Sequence, residues 1–238
     1  MKHKIKPAWK PSLGTFSKAV PKAIALNFSE SGGVNCSTKC EALKRGVCYA
    51  IHTEKMKPSI QVSGERKRTL GFAKLCNAYK ARIEALKNRG EAIPWIRFST
   101  FGSVPNRRLS GLEMQAFAEL VRSFPVGVPV HFPVETREKA ERFRAIAVAF
   151  ELDSLVVRES LQNDARMATT SQPCSRVIYE GATKKERLAN AIKVARSLPD
   201  ARVCPAIAST INRRKPIKCG QCTLCSRADV TTILYPQH

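Results

Sequence analysis

Val128-Pro-Val-His-Phe132, Arg137 to Phe150 and Ser154-Leu-Val-Val157 follow one another along the chain. The first is a short β-branched run and reads as a strand, the second reads as a helix, and the third is a short buried strand. A strand, a helix and a second strand in that order make a βαβ unit, which needs a parallel sheet.

The unit recurs in both directions. Upstream, Ala23-Ile-Ala-Leu-Asn-Phe28 reads as the first strand and closes on Ser29-Glu-Ser-Gly-Gly33. A long helix is expected over 65–89, with Leu70, Ala73, Leu75, Ile83 and Leu86 on its apolar stripe and Gly90 as its stop. Ile93 to Phe98 is strand-like. Leu112 to Phe124 is helical, with Leu112, Ala116, Leu120 and Val121 on one face. Downstream come a short helix over 159–168 and a strand from Arg176 to Tyr179. An amphipathic helix from Lys184 to Leu198 follows, opened by a capping box of Thr183 and Glu186. Ala201 to Ile207 is expected as the last strand. Six strands alternating with helices suit an open doubly wound sheet or an incomplete barrel with right-handed crossovers. The expected fold is an α/β, six-unit (β/α)6 partial barrel over 22–207. A basic arm (1–21) precedes it, and a cysteine-rich metal-binding segment (208–238) follows as a C-terminal extension.

The chain has 238 residues and is 43% hydrophobic, enough for a real core. No apolar run reaches the length of a membrane span, and the basic N-terminus lacks the apolar stretch of a secretory signal. A cytoplasmic protein with no membrane contact is expected. The formal net charge is +22, from 41 Lys and Arg against 19 Asp and Glu. A field of that sign attracts polyanions, so nucleic acid or another polyanion is the expected partner. The basic residues are spread along the whole chain, which favours a broad electrostatic surface over a sequence-reading DNA motif. There is no G-x-G-x-x-G and no G-x4-G-K-[ST], so phosphate-loop nucleotide binding is not supported.

Polar residues gather where the strands end, which is where parallel α/β folds place their sites. Ser99 follows the second strand, Glu135 the third, and Arg158 and Glu159 the fourth. The two carboxylates can bind an amine or a ribose hydroxyl, and Arg158 can take a carboxylate in bidentate fashion.

Seven of the nine cysteines form two groups. Cys36, Cys40 and Cys48 follow the first strand, and Tyr49 adjoins the last of them. Cys204, Cys219, Cys222 and Cys225 lie near the end, the last three at the C-x2-C-x2-C spacing of a ferredoxin run. Close-spaced thiols in a reducing compartment read as metal ligands, and the odd count and spacing speak against disulfides. Four thiolates close a site, whereas three leave a coordination position open. A [4Fe–4S] cluster is expected at each group, with zinc as the alternative metal. At the first group His52 would be zinc's fourth ligand. Cys76 and Cys174 read as packing thiols.

Three cysteines in the loop after the first strand of a βα repeat resemble the radical S-adenosylmethionine (SAM) superfamily. The C-terminal four-cysteine segment resembles the SPASM and twitch auxiliary-cluster extensions. The layout is also similar to small radical-SAM-like proteins carried by phages and plasmids. Cys36-x3-Cys40 matches the first half of the family spacing. Seven residues rather than two precede the third cysteine, and Ser99-Thr-Phe-Gly102 stands where a glycine-glycine-glutamate segment is usual. The resemblance implies that Cys36, Cys40 and Cys48 hold a cluster whose fourth iron binds SAM. It also implies reductive cleavage of SAM, with electrons from a flavodoxin or ferredoxin. Tyr49, Ser99, Glu135, Arg158 and Glu159 would then line the SAM site, and the basic surface would recruit a nucleic-acid-associated or other polyanionic substrate. The competing expectation is a non-catalytic, metal-stabilised nucleic-acid-binding or inhibitory accessory protein of a mobile element. A third is a zinc-stapled adaptor for an acidic protein.

Overall fold

The computed structural model describes residues 14–15, 24–28, 56–98, 104–160, 172–198, 200–212, 217 and 222–236. The strands are β1 (Gly14–Thr15), β2 (Ile24–Leu26), β3 (Ile96–Phe98), β4 (Val130–Val134), β5 (Val157–Ser160), β6 (Cys174–Ile178), β7 (Ala201–Val203) and β8 (Thr232–Pro236). They form one sheet in the order β1-β2-β3-β4-β5-β6-β8-β7. β1 runs antiparallel to β2, and the other seven strands are mutually parallel. The architecture is α/β, and among the described residues no pairing joins the two edges of the sheet.

From β2 to β6 the spatial order is the chain order. Doubly wound sheets reverse direction at a switch point, and this run has none. Accordingly the helices α2 (Phe72–Asn88), α3 (Gly111–Arg122) and α4 (Arg137–Ala149) all pack on one face. That face is aromatic. Phe98, Phe117, Phe132 and Phe143 interlock, with ring centroids 4.6 Å apart for Phe98–Phe132 and 4.9 Å for Phe132–Phe143. Phe28, Phe72 and Tyr79 extend the cluster, and the Tyr79 hydroxyl donates to the Asn27 carbonyl at 2.8 Å. α5 (Lys184–Ser197) covers Cys174, Ile178 and Leu234 through Ala191.

Several expected elements move. The expected helix over 65–89 is two, α1 (Pro58–Leu70) and α2, broken at Gly71. The strand expected at 154–157 is β5, Val157–Ser160, so Glu159 and Ser160 belong to a strand rather than to the start of a helix. The run from Ala201 to Ile207 divides into β7 and the helix α6 (Pro205–Ile211), because Pro205 lacks the N–H a parallel ladder needs and suits a first helical turn. It is not the last strand. β8 follows and enters the sheet between β6 and β7, within the segment expected to be an extension beyond it. The capping box of Thr183 and Glu186 is present, and Cys76 and Cys174 are buried, each free of a disulfide.

Candidate metal centre and the polar sheet face

Strand alternation gives the sheet two unlike faces. Ile96, Phe98, Val130, Phe132, Val134 and Val157 turn to the helices. Arg97 is paired in register with His131, and Pro133 with Arg158, so these residues share the opposite face. Ser175, Ile233 and Tyr235 continue it across β6 and β8. This polar face is covered in part by a short 3-10 turn, Leu224–Ser226, which contacts β4.

Arg158 holds that turn. Its side chain is fully buried. Its guanidinium donates to the carbonyls of Cys225 at 3.2 Å, Arg227 at 2.8 Å, Val230 at 2.9 Å and Cys174 at 2.9 Å. A fifth, longer bond reaches Thr231 at 3.4 Å. A planar fork of donors converging on a run of carbonyls fixes the main chain of the C-x2-C segment without using either sulfur.

Cys204, Cys222 and Cys225 line one small cavity together with Trp95, Thr223, Leu224 and Ile233. Cys204 closes β7, its N–H donating to Leu234 O at 2.8 Å, and serves as N-cap of α6. The Cys225 sulfur lies 3.0 Å from the Tyr235 hydroxyl. Burial pushes the Cys225 thiol up from its ordinary value, opposed by the Tyr235 hydrogen bond and the Arg158 and Arg97 charges. Burial, then the neighbouring Cys225, holds the Tyr235 phenol well above its ordinary value, so it is a proton donor at neutral pH. The cavity measures about 10 Å³, room for one water-sized body. Among the described residues no group of three or more His, Cys, Asp or Glu stands in metal-holding geometry. The donor chemistry nevertheless suits a thiophilic metal: three sulfurs on one cavity whose lining includes no carboxylate.

The remaining candidates are scattered. Arg158 and Glu159 are consecutive in a strand, so they face opposite ways, and Glu159 shares its level with Val134 and Cys174. Glu135 accepts from Lys139 Nζ, a fully buried ammonium that also donates to Val104 O at 2.9 Å. Cys36, Cys40, Cys48, Tyr49, His52, Ser99 and Cys219 lie outside the described residues. The polar face also contains residues the sequence did not single out as candidates, namely Trp95, Arg97 and Tyr235, and His131, which was read only as part of a strand. The signal was present: a cation between large apolar neighbours in Ile96-Arg97-Phe98, and an imidazole likewise in Val130-His131-Phe132. Alternation alone sends both to the face opposite the core.

His131 is buried, and its Nε2 has no hydrogen-bond partner among the described residues. Burial, reinforced by the Arg97 and Arg158 charges, holds it well below the ordinary histidine value, so the imidazole is neutral. Among the described residues no helix is long and apolar enough to cross a membrane. No protein-family model, curated protein or solved structure matches the chain.

Proposed function

We propose that the protein is a radical-SAM-like iron–sulfur protein that reductively cleaves SAM to act on a polyanionic or nucleic-acid-associated substrate. We read its open sheet as a partial barrel. One observation carries most of the weight. Trp95, ahead of β3, and Ile233, on β8, line the same cavity although β4, β5 and β6 lie between their strands. A flat sheet with strands ~4.8 Å apart would hold them roughly 19 Å apart, so their shared cavity supports a sheet curled around its polar face. Unidirectional winding with the helices on the outside fits the same picture.

In this reading Cys36, Cys40 and Cys48 hold the reactive cluster, since they follow β2, the first of the seven parallel strands, in the chain. When bound, that cluster supplies an electron to SAM. The protein's part is to position the ligand and exclude water. A small reductant protein of the flavodoxin or ferredoxin type would deliver the electron. The second site is structural. Cys204, Cys222 and Cys225, with Cys219 by its spacing, would close it, and the cavity of about 10 Å³ suits a single ion such as zinc better than a four-iron cube. Arg158 then acts as the positioning residue for this loop, not as a carboxylate clamp.

Metal analysis after anaerobic purification tests this directly. The expected chain is brown, with about four irons and about one zinc. Dithionite with SAM should release 5′-deoxyadenosine. A colourless chain with zinc alone, or iron without that product, sinks the catalytic reading. It would leave the non-catalytic, metal-stapled nucleic-acid-binding protein, which the net charge of +22 favours. That second reading requires an affinity for nucleic acid that falls steeply with salt.

A further inference from the structure

We propose that the outward face of α2 is the surface on which the protein docks the sugar–phosphate backbone of a nucleic acid. The inference deepens the function above and rests on its polyanionic substrate.

α2 divides its cations between two sides. Lys80 Nζ donates to Glu119 of α3 at 3.0 Å, and Lys87 Nζ donates to the Ser123 carbonyl just past α3 at 3.1 Å. Both are thereby tied to the neighbouring helix. Glu84, the one carboxylate within α2, bears on Lys80 and belongs to that side. Lys74, Arg82 and Arg89 are exposed. Steps of three and four residues link them through Ala78, Ala81 and Ala85, so they share a side of the axis. From Lys74 to Arg89 that side runs roughly 22 Å. Among the described residues no ion pair engages Lys74 or Arg82, and Arg89 has one exposed pair, with Glu91 at 2.6 Å. Exposed pairs of that kind contribute little.

Ala78, Ala81, Arg82, Ala85, Leu86 and Arg89 line a groove of about 400 Å³, and none of them is acidic. The alanine methyl groups keep its floor low, so an anionic chain can lie close to the helix beside the cations. A second groove, of about 570 Å³, lacks this character. Glu141 and Asp153 line it, and its Arg144 donates to the carbonyls of Val157 and Pro173.

The net charge of +22 attracts any polyanion, and the make-up of the face narrows the choice. A helix that lies on an anionic membrane also presents large apolar side chains to it. In α2 the large apolar side chains Phe72, Leu75, Tyr79 and Ile83 are buried. A nucleic-acid backbone is held by Lys and Arg together with neutral donors such as Asn. Asn77 and Asn88 supply these, exposed on the other flank of the alanines. Contacts of this kind fix the backbone and read no bases, so docking is independent of sequence.

Fluorescence anisotropy over a salt series tests the surface, with the full chain and a labelled mixed-sequence duplex of about 20 base pairs, as DNA and as RNA. Binding should be saturable and fall steeply with salt. Lys74→Gln with Arg82→Gln should weaken it roughly tenfold to a hundredfold near 0.1 M salt and reduce the slope of log K against log salt by about 2. Lys185→Gln with Lys193→Gln on α5 removes the same net charge and should leave the slope unchanged. Ala81→Glu, which puts a carboxylate in the groove and keeps a good helix former, should weaken binding by roughly tenfold or more. All these positions are exposed, so each variant should fold. Equal losses from the α2 and α5 pairs would assign binding to net charge alone and overturn the proposal. Full affinity in the α2 pair or in Ala81→Glu overturns it too, as does the absence of saturable binding to either duplex. Phosphatidylserine vesicles form the membrane arm. Binding them more tightly than the duplex, through Lys74 and Arg82, also overturns it. Release of 5′-deoxyadenosine in the absence of substrate should survive the α2 substitutions, so loss of docking and failure of SAM cleavage are told apart.

Discussion

A single guanidinium ties the main chain around Cys225 to the sheet. Arg158 is fully buried and donates to Cys225, Arg227, Val230 and Cys174 within 3.2 Å. Replacing it by Leu strands several buried carbonyls, and we expect a loss of about 3–5 kcal/mol, read from urea unfolding. Arg158→Lys should recover little, because one ammonium has three donors on a point rather than a planar fork. Faster thiol labelling of Cys222 and Cys225 in the folded variant should accompany the loss, and unchanged labelling would show that the turn holds itself. The sequence made Arg158 conspicuous for the wrong reason. Reading the strand as 154–157 put Arg158 and Glu159 together beyond its end, on a common rim. The strand is Val157–Ser160, and a period of two then sends the two side chains to opposite faces. A short apolar run has no internal marker of where pairing stops, so the role was unreadable although the residue stood out.

At the scale of elements, helices with caps were legible and unmarked breaks were not. The box of Thr183 and Glu186 starts α5 where the sequence puts it; Ser110 with Glu113 opens α3 by the same device, a box that was not read from the sequence. Gly71 was passed over because the apolar stripe continues through it. It sits at φ 81°, ψ 159°, a region that only glycine enters cheaply. A Cβ there would meet nothing within 4 Å. Gly71→Ala should therefore cost about 1–3 kcal/mol by backbone strain alone, without a packing change, as a lower urea midpoint at constant slope. The cap of α3 also makes a pH prediction. Glu113 accepts from Arg107, the largest cause, and from Ser110, and its carboxyl is lowered from 4.5 to about 2. The native state holds this proton less tightly than the unfolded chain. Its contribution is thus complete above the unfolded value and disappears as the pH falls from about 4.5 through about 2. Glu113→Gln should lower stability at neutral pH and flatten that part of the acid limb. An unchanged limb would assign acid sensitivity to other carboxylates.

The insertion of β8 decides how the whole molecule is tied together. A strand that arrives last in the chain lies between β6 and β7, parallel to both. Its neighbours face two structures at once. Leu234 packs with Cys174, Ile178 and Ala191 under α5, whereas Ile233 packs with Cys204 and Val230 on the polar face, beside Leu224 and Cys225. Thr-Thr-Ile-Leu-Tyr at 231–235 has the β-branched, unbroken character of a buried parallel strand. Its closeness to the C-x2-C-x2-C run assigned it to a metal-binding tail instead. Both side chains are fully buried, so trimming either to Ala should cost about 2–5 kcal/mol. The two losses should have different signatures. Leu234→Ala should speed amide exchange in α5 and leave Cys222 and Cys225 as slow to label as in the wild type. Ile233→Ala should raise thiol labelling of Cys222 and Cys225 while α5 stays protected. If each variant loosened both regions equally, β8 would be one link in a single cooperative unit. If only the stated region responds, the last strand is the mechanical junction between the helix-covered core and the thiol-lined cavity. On the proposed metal-bound reading, removing the metal should then lower the stability of the polar face first, ahead of the aromatic core.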